Sequence, residues 1–473
     1  MVGARSTQLY SQWLWRTGRV TDDGASYVVV PPANNAQLNQ GQTAWWVRFD
    51  QFSQGVATLG GGDVTVIAGG DVSNLSVSAP TQGRMNSAVP DASLLVKTGG
   101  GDVRVEAGRD VLGGQFFADE GNVNLRAGRD VGAGQSGVYP VLAIGDGQVR
   151  VGAHDNLSIN AIINPQLVHQ TSGTTTQIAN IQGTSTEIRK AVFSTYEADT
   201  GVSLQSLTGD VASHTMGWST AGYDTFFSDT STVNLGNNRT VSVESPLSLL
   251  PPRVAMTAFD GSVRFVGDNA SQTLLPSTQG QLELLAKDSV DFGSRNLVIS
   301  DRDPATIPSA ARPVGYQSAG ASVLDPAFSI DDSSNYASVP VHSPERANDG
   351  RTTAKVYAVE GDTVMLGSGY LRSSKAVEVR AGGDVIGLNL TVQHASTGDR
   401  SVVQAGRDVV YPNAGFGIRV GGPGLLEVSA GRDVNLGLSQ GILSRGDLDN
   451  NNLPLGGASL QIMAGVGPVG LDA

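Results

Sequence analysis

Val103-Arg104-Val105-Glu106-Ala107-Gly108-Arg109-Asp110-Val111 contains the unit from which most of this chain is built. In an extended backbone Val103, Val105 and Ala107 fall on one side and Arg104 and Glu106 on the other, so the first five residues read as a strand with one apolar face. The same frame recurs in the same phase at Val64/Val66/Ala68, Val123/Leu125/Ala127, Val149/Val151/Ala153, Leu282/Leu284/Ala286, Val377/Val379/Ala381, Leu426/Val428/Ala430 and Leu460/Ile462/Ala464. Its ending, Ala-Gly-Arg-Asp-Val, is repeated at 107–111, 127–131, 405–409 and 430–434. There the Gly is expected to supply positive φ and the Asp to accept from nearby amides, which together predict a tight corner.

A weaker corner precedes several of these strands, at Gly62-Asp63-Val64, Gly101-Asp102-Val103 and Gly121-Asn122-Val123. Two corners, with residues left for a third side, describe a coil of three short parallel strands. Equivalent aspartates lie 20 residues apart from Asp110 to Asp130, 24 from Asp384 to Asp408 and 25 from Asp408 to Asp433, and the 39 from Asp71 to Asp110 reads as two coils. Roughly 15 to 18 coils at the strand spacing of a sheet give a rod about 70–85 Å long. Stacking would set corner aspartates close together, and like charges repel, so Arg109, Arg129, Arg407 and Arg432 are expected to bridge between coils.

Composition fits a solenoid, with 61 Gly and only 6% aromatic residues. Leucine-rich and helical repeats are excluded by the pattern, and the Gly-Gly-x-Gly-x-Asp calcium nonapeptide does not occur. A net charge of −13 argues against nucleic acid or an anionic membrane as partner. The chain holds no run of 18 apolar residues to span a bilayer as a helix, and no cysteine for disulfides or thiolate chemistry. The N-terminus lacks the apolar core of a signal peptide and the C-terminus follows an Ala-Gly corner without a polar cap, so both ends read as cut from something longer.

Serial Ala-Gly-Arg-Asp-Val corners on Val-x-Val-x-Ala strands resemble the filamentous haemagglutinin-type exoproteins of two-partner secretion in Gram-negative bacteria. The stretches Gln8–Trp15, Trp45–Asp50 and Ser248–Arg253 resemble a non-repetitive region found late in such proteins. The resemblance implies an all-β, right-handed parallel β-helix with loop and short helical excursions, in an internal or C-terminal region of the family pattern. It also implies export through an outer-membrane two-partner secretion transporter that acts on a region not in this chain. Display would be secreted or on the cell surface, as a fibre in adhesion, biofilm formation or contact-dependent competition that meets a host or bacterial receptor or glycan.

The repeat divides the chain into coils at 56–157, 256–301 and 355–473, separated by segments without it. Residues 158–255 are rich in Thr and Ser and read as an excursion, in which Thr184-Ser185-Thr186-Glu187 is a capping box for a short helix carrying Ile188, Ala191 and Val192 on one face. Residues 302–354 contain six X-Pro pairs and read as a loop or linker. Residues 1–55 hold Trp13, Trp15, Trp45 and Trp46. These indoles either form an aromatic platform for sugar rings or a protein partner, or they cap the open end of the β-helix or pack an excursion onto it.

Arg445-Gly446-Asp447 is a second candidate receptor contact, an adhesive tripeptide in a polar loop that ordinary Gly-Asp turn chemistry also accounts for. No catalytic, cofactor or metal residues are assigned. Gly437-Leu438-Ser439-Gln440-Gly441 has nucleophile-elbow spacing but follows a repeat corner. Asp447, Asp449 and Asn451 imitate the start of a calcium loop that lacks its later ligands, and the five histidines lack metal-site spacing. The enzymatic rival to a rod is a β-helical polysaccharide lyase or glycosidase, which requires convergent carboxylates on one face.

Overall fold

The alternation in sequence becomes alternation in space. Strand Val103–Ala107 buries Val103, Val105 and Ala107 and turns Arg104 and Glu106 outward. It pairs in parallel with Val123–Ala127 so that Val103 lies on Val123 and Ala107 on Ala127. Repeating this step yields a sheet of twelve strands, from Val64–Ala68 to Ser459–Ala464. In this computed structural model the described residues are 10–17, 43–85, 91–135, 137–167, 191–214, 232–234, 240–242, 249–267, 271–301, 304, 307, 309–311, 314–315, 353–446 and 453–466.

Each coil continues from the corner into a shorter strand of a second, eleven-stranded parallel sheet, Val111–Leu112 and Val131–Gly132 among them. A third side carries five parallel strands from Gly55–Ala57 to Ala161–Ile163 and then seven from Leu249–Leu250 to Gly441–Ser444. The three sides enclose one apolar core of Val, Leu, Ile and Ala that runs the length of the stack. This is a parallel β-helix.

The coil count is lower than the spacing suggested. Val64–Ala68 pairs directly with Val103–Ala107, so the interval from Asp71 to Asp110 is one coil interrupted by an outward hairpin and not two coils. Likewise Gln148–Ala153 pairs with Gly201–Ser206, and Gln281–Ala286 with Ala354–Ala358, so the chain between them adds no coil to this sheet. Twelve coils at the strand spacing of a sheet make a stack about 53 Å long.

The region expected to leave the rod at 158–255 supplies several strands to it. Leu157–Ile159, Ala161–Ile163, Gly201–Ser206, Val211–His214 and Arg253–Ala258 all take places in the coil sheets. The capping box at 184–187 and Ile188 lie outside the described residues. Ala191–Val192, assigned to the same helix, form a strand antiparallel to Val314–Gly315 from the Pro-rich segment. Among the described residues helix is limited to Tyr10–Trp13, to 3-10 turns at Ala92–Leu94 and Pro165–Leu167, and to a 3-10 position at Pro304.

At the corners the aspartates form a ladder. The Asp110 amide donates to Asp71 Oδ1, the Asp130 amide to Asp110 Oδ1 and the Asn156 amide to Asp130 Oδ1. The series continues through Asp210, Ser262, Ser289, Asp362, Asp384 and Asp408 to Asp433. The arginine before each repeated aspartate reaches back one coil, Arg129 to Asp110, Arg407 to Asp384 and Arg432 to Asp408, as charge neutralisation requires.

Glycine does a different job here from the one expected. Gly128 has no positive φ, but a Cβ on it would stand 2.3 Å from the carbonyl oxygen of Gly108 in the preceding coil. Close approach of successive backbones selects Gly at that position. Positive φ is found instead at the other corner, where Gly121 sits at +138°, and in the repeat frame at Gly465, at +72°.

Candidate functional site

The third side of the first coils has strands buried on both faces. Gln115–Glu120, Val141–Asp146 and Ala161–Ile163 are almost continuously buried, unlike the alternating strands of the long sheet. Their outer face is covered by a four-stranded antiparallel sheet of Leu14–Thr17, Ala44–Val47, Thr81–Met85 and Leu95–Gly99. Between them lies a second core of Tyr10, Trp13, Leu14, Trp45, Val47, Phe117, Val141, Ala143, Ile163 and Phe193.

Two of the four candidate tryptophans therefore form no exposed platform. Trp13 and Trp45 are buried at 2% and 1%, Trp13 edge-on to Phe52 and Trp45 against Phe193. Gly83 makes room for Trp45, because a Cβ there would meet the indole at 2.2 Å. Trp15 and Trp46 point the other way, paired across the same two strands on the outer face, half-buried, with ring centroids 6.4 Å apart. The Arg48 guanidinium lies 4.4 Å over the Trp15 ring and is held by a two-point bond to Asp50. The Asp50 bond raises its pKa above the ordinary value. An indole pair with a fixed cation presents apolar ring edges beside a hydrogen-bond donor, the surface that a sugar or a polar peptide contacts.

Beneath it runs a buried polar chain that the sequence did not signal. Trp45 Nε1 donates to Thr81 Oγ1, which donates to Asp119 Oδ2, and Thr195 Oγ1 donates to Asp119 Oδ1 while accepting from Asn164 Nδ2. Asp119 thus ties the covering sheet to the coil wall and to the 191–200 segment. Burial pushes its carboxyl above the usual carboxylate range, against the opposing effect of the Thr81 and Thr195 bonds.

Arg445 and Gly446 occupy a coil corner. The Arg445 amide bonds to Val420 O at 2.9 Å, and the Gly446 carbonyl accepts from the Gly422 amide, so their backbone is stacked on the coil below. The Arg445 side chain is exposed, and Asp447 lies outside the described residues. The nucleophile-elbow spacing at 437–441 is a turn between two strands, with Ser439 Oγ accepting the Gly441 amide.

His394 is fully buried, its ring nitrogens on Pro423 O and Ser401 Oγ at 2.9 and 2.7 Å. Burial lowers its pKa, and Ser401 also accepts the Val377 amide, so the pair pins a corner out of reach of substrate. Among the described residues no group of three or more His, Asp or Glu side chains is placed to hold a metal ion. Outside the corners Glu120, Asp146, Glu197 and Asp199 lie around Lys97, and burial raises the pKa of Asp146 and Glu197. No protein-family model, curated protein or solved structure matches the chain.

Proposed function

We propose that this chain is a structural, rod-forming segment of a secreted or surface-displayed filamentous adhesin, serving as a stalk in adhesion, biofilm formation or contact-dependent competition. The observation that carries this reading is the corner ladder, in which nearly every repeated acid and base is consumed in joining one coil to the next. Outward charges on the strands are likewise spent on each other, as in Arg104–Glu106, Arg380–Glu378 and Arg400–Glu427. Among the described residues no helix is long and apolar enough to cross a membrane. Export by an outer-membrane two-partner secretion transporter, and a receptor or glycan contacting Trp15 and Trp46, belong to the same reading.

The β-helical lyase or glycosidase reading has one observation on its side, the raised carboxyls of Asp146 and Glu197. A panel of acidic and neutral polysaccharides separates the two. The rod reading predicts saturable binding that falls on Trp46→Ala, with no new reducing ends or unsaturated uronides. Turnover abolished by Glu197→Gln would replace the rod with an enzyme.

A further inference from the structure

Outward charges on the long sheet come in opposed pairs except over four consecutive strands. Arg104 bonds to Glu106, Lys355 faces Glu283, Arg380 lies by Glu378 and Arg400 by Glu427. Between Glu106 and Glu283, the strands Val123–Ala127, Gln148–Ala153, Gly201–Ser206 and Arg253–Ala258 turn Arg126, Arg150 and Arg253 outward and carry no acid. All three arginines are exposed, and among the described residues none of them has an ion pair. In a chain of net charge −13 this face stands apart from its surroundings.

The parallel register sets the three on one diagonal. Arg150 lies beside Asn124, two residues before Arg126, and the level of Arg150 continues through Ser203 to Ala255, two residues after Arg253. From strand spacing and rise, the Cα atoms of Arg126 and Arg150 are about 8 Å apart and those of Arg150 and Arg253 about 12 Å. Glu106 borders the diagonal beside Arg126 but is held by Arg104, and Glu283 borders it beside Ala255 but accepts from Gln281 and faces Lys355. Gly152, next to Arg126 on the outward face, has nothing within 4 Å of an added Cβ, so space above the diagonal is open.

We propose that this face binds an acidic polysaccharide, with uronate carboxylates taken by Arg126, Arg150 and Arg253. Each guanidinium offers paired N–H donors that match both oxygens of a carboxylate. Asn124, Ser203, Gln205 and Thr257, outward among the arginines, supply amides and hydroxyls for the sugar hydroxyl groups. Single-stranded nucleic acid is held largely by bases stacking on aromatic rings, and these four strands contain none. The site is separate from the Trp15–Trp46 pair and does not rest on the reading of that pair.

Binding is measured on chains that carry Trp46→Ala, so that the indole pair contributes nothing. Polygalacturonate should bind saturably at low salt and more weakly as salt rises, and neutral dextran should not bind. Arg150→Gln, at the centre of the diagonal, should weaken polygalacturonate binding by about tenfold. Arg380→Gln removes the same charge from an opposed pair on the same sheet and should leave the affinity unchanged. An unchanged circular dichroism spectrum for Arg150→Gln keeps its loss separate from misfolding. No binding of polygalacturonate, equal binding of dextran, or the same loss in Arg380→Gln would overturn the proposal. Tighter binding of single-stranded DNA or dextran sulfate, lost in Arg150→Gln, would also overturn it by giving the face to a different anion.

Discussion

Gly128 and Asp110 show what one corner position demands. A methyl group on Gly128 would overlap the Gly108 carbonyl at 2.3 Å, and both backbones are fixed in the stack, so Gly128→Ala should destabilise by about 1–3 kcal/mol. Gly152, an outward strand position with nothing within 4 Å of an added Cβ and no positive φ, should respond with the opposite sign, gaining about 0.5–1 kcal/mol as Ala. Chemical denaturation of the two variants checks the contrast. Asp110 acts first as an acceptor for the Asp130 amide and second as a partner of Arg129. Asn and Ser hold the same ladder place at Asn156, Ser262 and Ser289. Asp110→Asn should therefore be nearly silent and Asp110→Ala should cost about 1 kcal/mol or more, read from the same denaturation curves. The corner and its arginine bridge were legible in Ala-Gly-Arg-Asp-Val because turn chemistry is local. The reason for its glycine was not, since that reason lies in a neighbouring coil at least 20 residues away.

At the scale of elements, the covering sheet depends on Asp119. Its folded-state pKa is raised, so between the ordinary carboxylate value and that raised value the folded chain holds a proton that the unfolded chain has lost. Asp119 therefore lowers stability as pH rises through this window. Asp119→Asn keeps an acceptor for Thr81 and removes the titration, so it should flatten that fall. Thermal unfolding from mildly acidic to neutral pH, followed by tryptophan fluorescence from Trp13 and Trp45, reads it out; a slope equal to that of the parent would refute the assignment. The coil strands were readable from their period of two. The covering sheet was not, because its strands are far apart in sequence and its polar anchor resembles one more turn aspartate. A sign of it was present in Phe116-Phe117-Ala118 and Ala161-Ile162-Ile163, runs without alternation that mark strands covered on both faces. The same geometry divides the tryptophans, since neighbouring residues in a strand face opposite ways and Trp45 and Trp46 cannot both be buried in one core.

For the whole molecule, sequence spacing established a solenoid and overcounted its coils. A hairpin inserted between Asp71 and Asp110 lengthens the interval without adding a rung, and an interval alone does not distinguish the two. What emerges is a stack of twelve coils whose ionic residues are largely committed to its own assembly, with half-buried Trp15 and Trp46 on a flanking sheet as the surface best suited to contact. The central claim, that such a rod is displayed outside the cell as part of a fibre, is tested most directly by antibody raised against this chain and applied to intact producing cells. The account predicts dense labelling of unpermeabilised cells and their projections, unchanged by opening the envelope. Labelling that emerges only after permeabilisation would contradict it.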